Sequence, residues 1–331
     1  MAEKVLVTGG AGFIGSHIVD EAIALGMDVV VLDDLSGGFK DNVNPKAEFV
    51  EGSINDTNLI KSLFDKYDLK YVYHLAAYAA EGLSHFIKKF NYENNLIGSI
   101  NLINASVNRE VKCFIFTSSI AVYGKNQLPM TEDLIPSPED SYGIAKLAVE
   151  QELKASEEMF GLNYIIFRPH NVYGEKQNIG DKYRNVIGIF MNQIMQNRPL
   201  TIFGDGEQTR AFTYIKDVAS IIAKSPLVKD AYGEVFNIGA KIPYTVNYLA
   251  REVCKAMGGK LKVRHFLERK EMKHAYSDHS KVKKIFGYEA RYNLQEGLKN
   301  MAKWAKRVGS KKSKKFDNIE ITKNLPSAWL E

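Results

Sequence analysis

Glycines 9, 12 and 15 follow directly on the β-branched run Val5-Leu-Val-Thr8 and lead into Phe13-Ile-Gly-Ser-His17. A strand that turns into a helix through three such glycines brings bare backbone close to a ligand. The missing side chains let the turn tighten, and the first-turn amides with the positive end of the helix dipole attract phosphate. A glycine triplet alone is weak evidence. It gains weight from Asp33, which closes the next apolar run, Asp28–Leu32. A carboxylate there accepts both ribose hydroxyls of an adenosine and repels a 2′-phosphate, which favours NAD over NADP. The competing reading has Asp33 or Asp34 merely ending a strand.

The rest of the first half repeats this rhythm of short strand and long helix. Strands are expected at Val5–Thr8, Asp28–Leu32, Tyr71–His74, Cys113–Thr117 and Tyr164–Phe167. Helices with three- and four-residue apolar spacing are expected at Gly12–Leu25, Asn91–Val107 and Ser141–Phe160. Alternation of this kind implies an α/β chain with a doubly wound parallel sheet, the Rossmann arrangement. After about Asn171 the pattern loosens into a loop-rich stretch, a short strand at Leu200–Phe203, and helices at Val246–Met257 and Leu294–Val308. We therefore expect a cofactor domain over 1–170, with returns to it near 211–238, and a smaller C-terminal substrate-binding lobe over 171–331.

Three residues form the strongest chemical constellation. Tyr142-Gly-Ile-Ala-Lys146 sets a phenol and an ammonium one turn apart on one helix face, where the ammonium favours the phenolate and so a general base. Ser119 stands just past the strand ending at Thr117, at the carboxyl edge of the sheet, where its hydroxyl can hold a substrate oxygen. A lone Tyr and Lys at this spacing is most often a surface pair. Agreement with the glycine turn and Asp33 gives the group its meaning.

With these motifs in place, the chain resembles the extended short-chain dehydrogenase/reductases, and among them the nucleotide-sugar epimerases of the UDP-glucose 4-epimerase type. The likeness runs through TGGAGFIGSH from Thr8, DDLSGG from Asp33, HLAA from His74, Asn94-Asn95, FTSSIAVYG from Phe116, SYGIAK from Ser141, FRPHNVYG from Phe167 and FGDGEQTRAFTYIKDV from Phe203. It implies NAD held against Gly9, Gly12, Phe13, Ile14, Gly15, Asp33, Ser53, Ile54, Leu75, Ala76, Ala77 and Asn94, and against Tyr142 and Lys146. It implies a reaction in which Tyr142 takes the proton of the sugar 4-hydroxyl, Ser119 bonds the same oxygen, and Lys146 lowers the tyrosine pKa. A transient 4-keto sugar would then be reduced from its other face by the permanently held cofactor.

The resemblance also places a UDP-sugar on the distal half. Asn171 matches the asparagine that bonds the diphosphate, Arg210 and Arg269 match phosphate-binding arginines, and Phe203 matches the aromatic position beside uracil. A turn cap, a surface ion pair and a core ring remain the alternatives for Asn171, Arg210 and Phe203. The stretch Glu268–Asp278 is one residue shorter than the usual spacing. Counting back from Asp278, Ala275 takes the position that guards the sugar's C2 substituent, and its methyl group predicts acceptance of N-acetylated sugars; a shifted loop would put Tyr276 there instead.

Several relatives share the triad, and departures sort among them. Ile120 and Ala121 stand where sugar dehydratases carry an Asp-Glu pair, and Ala121 stands where decarboxylating relatives keep a glutamate. Neither chemistry has its carboxylates. Ser53 replaces the aspartate expected on adenine. Glu81 has two readings: a solvated charge at a helix start, or a group facing the sugar, which would repel a uronic acid.

Composition bounds the remaining classes. At 331 residues, 45% hydrophobic and 25% charged, the chain is an ordinary globular protein. No apolar run approaches the ~20 residues of a membrane span and no secretory segment precedes the first strand, so a cytoplasmic enzyme is expected. Cys113 and Cys254 lack metal-ligand spacing, and no metal is expected. The charge of +5 owes much to Lys306–Lys315, six of whose ten residues are basic; this reads as a solvated tail, weak evidence for nucleic acid. A non-catalytic NAD-binding regulator is disfavoured by the intact triad. The family likeness implies a homodimer through the helices at 91–107 and 141–160.

Overall fold

The computed structural model describes residues 2–269, 272–313 and 315–329. Its centre is a seven-stranded, wholly parallel sheet. Six strands come from the first half: β1 (Lys4–Thr8), β2 (Asp28–Asp33), β3 (Glu48–Glu51), β4 (Leu69–His74), β5 (Cys113–Thr117) and β6 (Tyr164–Pro169). The seventh, Glu234–Ile238, pairs in register with β6, giving the spatial order Glu234–Ile238, β6, β5, β4, β1, β2, β3. Order reverses between β1 and β4, and at that switch point the two flanking turns diverge and leave a crevice at the carboxyl ends of the strands.

Both faces of the sheet are covered, which is why its strands read as nearly continuous apolar runs. Val5 and Val7 point to one side, among Ile18, Val19 and Ala22 of α1 (Phe13–Ala24) and Val218 and Ile222 of the helix Ile215–Lys224. Leu6 points to the other. There it joins Leu63 and Phe64 of α2 (Thr57–Lys66), Leu102 of the helix Gly98–Asn108, and Val149 and Leu153 of the helix Ser141–Phe160. Residues 215–224 and 234–238 thus serve the central sheet, while 170–214 and most of 239–308 build the smaller lobe.

The expected helix over Asn91–Val107 is broken. Short helices α3 (Glu81–Ser84) and α4 (Lys88–Tyr92) lead into one wide π turn, Glu93–Ile97, before α5 (Gly98–Asn108). The turn lets Asn95 point inward, where its amide bonds both backbone groups of Tyr78 and the side chain of Asn91; such turns collect where a helix must serve a site. Strand β3 escaped the sequence reading because its ends are charged and it lies half-exposed at the sheet edge. Helix α6 (Ser141–Phe160) falls where its periodicity puts it, with Asp140 accepting from Gly143 N at its start and Gly161 left-handed at its end.

The basic tail is only partly the solvated end expected of it. Lys306, Arg307, Lys311, Lys312 and Lys315 are exposed, but Lys311 is anchored through its backbone to Asn192 and Gln196, and the chain then returns to the crevice. Among the described residues no helix is long and apolar enough to cross a membrane, and no group of three or more His, Cys, Asp or Glu side chains could hold a metal ion.

Candidate functional site

One cavity of about 1410 Å³ occupies the crevice between the sheet and the smaller lobe. It exceeds the range of a single small-molecule pocket, which is roughly 300–1,000 Å³. Two ligands side by side would suit it.

Its first half is a dinucleotide cradle. Gly9 adopts φ +71°, and a Cβ there would stand 2.7 Å from the amide nitrogen of Ala76; one at Gly15 would collide with the Gly9 carbonyl oxygen at 2.1 Å. Only glycines allow β1, α1 and the Leu75–Ala77 segment to meet. No side chain caps the first turn of α1, so its amides face the cavity as the phosphate reading requires. Asp33 accepts from Ala11 N at 3.0 Å and Leu35 N at 2.8 Å, tying the glycine turn to the end of β2. Burial pushes its carboxyl up, and these amides oppose the shift. Gly12, Phe13, Ile14, Ile54 and Asn94 also line the cavity.

Ser53 does not. Its hydroxyl accepts from Asn55 N at 3.2 Å in a local turn, and the wall beside Ile54 is made by Gly52 instead. Ser53 thus falls off the cavity wall, where the family likeness implied an adenine contact.

The reaction centre lies at the ends of β5 and α6. Ser119, Tyr142 and Lys146 line the same wall; the Ser119 hydroxyl accepts from Ala121 N at 3.1 Å and stands near enough to the Tyr142 phenol to favour its ionised form. The start of α6 is held by Ser84, which receives the Tyr142 amide at 3.1 Å. Lys146 is 2% exposed; its Nζ donates to the Thr117 carbonyl at 2.8 Å and lies 4.6 Å from the Phe116 ring centre. Burial lowers its pKa from 10.5 to about 7, against the opposing pull of Glu150.

One electrostatic expectation changes sign. Burial raises the Tyr142 phenol well above its ordinary value, and the neighbouring Ser119 hydroxyl only partly offsets this. The Lys146 ammonium is turned onto Thr117 and sits 5.8 Å from the centre of the Tyr142 ring. Behind this wall runs a buried polar chain that sequence reasoning missed. Ser118 donates to Glu150 at 2.5 Å, and Glu150 receives two bonds from Arg168, whose guanidinium stacks 4.7 Å from the Tyr123 ring. Glu150 lies one turn beyond Lys146 on the inward face of α6, and that spacing was the available signal.

The second half of the cavity comes mainly from the lobe. Asn171, Phe203, Arg210 and Arg269 all line it. Asn171 has φ +41° and bonds the Ala211 carbonyl. Arg210 donates to the carbonyls of Thr209, Met272 and Lys273, and Arg269 stacks 3.9 Å from the centre of the Phe203 ring. Glu81 is on the wall too, close enough for its charge to raise Tyr142 further. Arg184, bonded to Asp181 and stacked on Tyr78, was not anticipated; it sits in a loop whose placement no periodicity reports.

Ala275 is not on the wall, and Tyr276 is not either. Pairing of the strand His274–Ala275 with Thr209–Arg210 turns Ala275 inward, at 1% exposure, onto Ile120, Val122 and Met130. The expected gate at Ala275 is corrected on that ground; Met272 is the residue of this segment that faces the cavity.

Known proteins resemble this chain in sequence and in fold. The sequence model of the NAD dependent epimerase/dehydratase family matches residues 5–239. A putative UDP-glucose 4-epimerase of Methanocaldococcus jannaschii is 36% identical over 91% of this chain and 98% of its own. The UDP-glucose 4-epimerase of Thermotoga maritima, solved with UDP-glucose, superposes with a TM-score of 0.88 at 36% identity, over 92% of this chain and 99% of its own. A UDP-N-acetylglucosamine 4-epimerase of Methanobrevibacter ruminantium, solved with UDP-N-acetylmuramic acid, gives 0.85 at 33% identity over 92% and 98%.

Proposed function

Because the chain belongs to the NAD-dependent epimerase/dehydratase family, we propose that it interconverts UDP-sugars that differ in configuration at C4, with UDP-glucose and UDP-galactose as the primary pair. The observation that carries this reading is the convergence of Ser119, Tyr142 and Lys146 on the wall of a cavity large enough for both NAD and a nucleotide sugar. The glycine cradle and the uncapped α1 suit NAD. When bound, NAD supplies a ring that accepts and returns a hydride and carries positive charge while oxidised.

The chain's own residues do the rest. Tyr142 receives the proton of the 4-hydroxyl and later gives it back. Ser119 holds the oxygen from which that proton leaves, so the 4-keto sugar is bonded by the same pair. A phenol raised by burial keeps its proton in the cofactor-free protein and would release it to solvent when positive charge is added beside it, leaving the phenolate that takes up the 4-hydroxyl proton. Lys146 contributes from behind, through its position next to Thr117 and Phe116. Ala121 stands on the wall at the position where eliminating and decarboxylating relatives carry a carboxylate. With Ala275 buried, acceptance of N-acetylated sugars is supported only by likeness to the Methanobrevibacter enzyme.

The deciding experiment is incubation of the purified protein, with no NAD added, with each of the UDP-sugars in turn. Epimer formation with no net oxidation or reduction is expected, and cofactor is expected to stay with the protein through purification. A stoichiometric requirement for NADPH would overturn the reading. We also propose a homodimer through α5 and α6, supported by the exposure of Ile144, Met159 and Phe160 along α6. Sedimentation as a monomer at micromolar concentration would remove it.

A further inference from the structure

The last described stretch, residues 316–329, lies outside the part matched by the family model, and Ile321, residues 323–327 and Trp329 line the cavity. The stretch is held at several points. Phe316 packs on Tyr78 and Phe90 with ring centres 5.3 and 4.9 Å apart, and its amide donates to the Tyr183 hydroxyl at 3.0 Å. The Glu320 carboxylate accepts from the amides of Lys89 and Phe90 at 2.8 and 2.9 Å, while the amides of Glu320 and Ile321 both donate to the Phe86 carbonyl.

Trp329 ends this path, buried to 4% exposure. Its ring centre lies 5.9 Å from Phe86 and 5.4 Å from Tyr183, and its carbonyl accepts from Lys182 Nζ at 2.7 Å. On its remaining side stands Arg269, with the guanidinium 5.7 Å from the indole and 3.9 Å from Phe203. The indole therefore touches the sheet side of the crevice through Phe86, the lobe through Tyr183, and the Arg269–Phe203 wall. The ring joins an apolar cluster with Ala80, Leu83 and Ile87 and at the same time lines the cavity.

We propose that residues 316–329 are a strap that retains the nucleotide end of the substrate, with Trp329 as a ligand-facing binding residue that braces Arg269 against Phe203. The proposal rests on the UDP-sugar reading. It adds that the strap must undock for a nucleotide sugar to leave, so that release is tied to the docking of Trp329.

The chain has two tryptophans, Trp304 and Trp329, so Trp304→Phe leaves Trp329 as the sole indole. In that NAD-loaded protein, UDP is expected to change the indole fluorescence saturably, and a second protein ending at Lys315 is expected to bind UDP at least tenfold more weakly. Trp329→Ala should raise KM for UDP-glucose and the inhibition constant of UDP together, with kcat unchanged or higher, and Trp329→Phe should restore much of the loss. If the strap only stabilises α3 and α4, the shortened protein will melt earlier and lose kcat while its affinity for UDP stays the same. That result, or an indole blind to UDP in an active enzyme, overturns the proposal. A full-length protein that neither binds UDP nor turns over any UDP-sugar would instead show that the underlying reading of the site is wrong, and the strap proposal would fall with it.

Discussion

The Nε2 atoms of His170 and His279 stand 3.1 Å apart, with the two rings stacked at 5.3 Å and both side chains buried. The Ala211 carbonyl can only accept, so it takes the Nδ1 proton of a neutral His170 at 3.1 Å. His170 Nε2 is then an acceptor and His279 Nε2 the donor. That leaves His279 Nδ1 buried without a hydrogen-bond partner among the described residues. His170 follows β6 and His279 precedes the helix Ser280–Phe286, so the pair pins the lobe's returning chain to the end of the central sheet.

Acid should unlock this pin. Burial lowers His170 from 6.5 to about 4 and His279 to about 3; His170 and Lys241 add to the lowering of His279 and Asp278 opposes it. The unfolded chain therefore binds these protons more tightly below pH 6.5, and the pair's contribution to stability falls as pH drops from 6.5 towards 3. Denaturant unfolding at pH 7 and pH 5 should show His279→Gln losing less stability across that interval than the wild type. Equal losses would clear the pair of any part in acid sensitivity.

Tyr142→Phe removes one oxygen from the reaction centre and leaves the helix intact. Turnover should fall on the order of a hundredfold or more, as expected when a general acid–base group is lost. Retained NAD, read from the absorbance of the purified protein, should be near that of the wild type. A variant turning over within a few-fold of wild type would take the phenol out of the reaction.

Lys146 carries a different signature. A pKa lowered from 10.5 to about 7 in a buried group corresponds to roughly 5 kcal/mol of cost for its charged form. Between those values the unfolded chain binds the proton and the folded chain does not, so wild-type stability should rise with pH from about 7 towards 10. Lys146→Met should flatten that rise in the NAD-free protein and also weaken NAD retention. A parallel rise in both proteins would mean that the ammonium is not desolvated as the fold implies.

Glu81 on the cavity wall should discriminate by charge. UDP-glucuronate is expected to be a poorer substrate than UDP-glucose by on the order of tenfold, and Glu81→Gln should narrow the gap by improving the acid sugar alone. Comparing kcat/KM for both sugars in both proteins decides it; a ratio untouched by the substitution assigns the selectivity elsewhere.

What the sequence made legible follows from how each residue is positioned. Tyr142 and Lys146 share one helix whose ends are marked by Asp140 and Gly161, and Ser119 follows a strand of five buried residues. Local rules placed all three. Ala275 was misplaced because no local rule reports it: pairing of its strand with Thr209–Arg210 turns it inward. Ser53 sits in a short turn to Asn55, a local pattern that the family likeness passes over. Trp329 carried no signal at all, since its contacts with Phe86, Tyr183 and Arg269 join parts of the chain far apart in sequence.

The seventh strand has a consequence for biosynthesis. Strand β6 presents Tyr164, Ile165, Ile166 and Phe167, all buried, and its free side is closed only by pairing with Glu234–Ile238. While the chain emerges from the ribosome, that apolar edge stays open until some seventy further residues have been made, an interval in which an unpaired strand templates aggregation. A fragment stopping near residue 170 would hold every chemical group of the reaction centre and still precipitate, whereas one reaching past Ile238 would have its sheet complete.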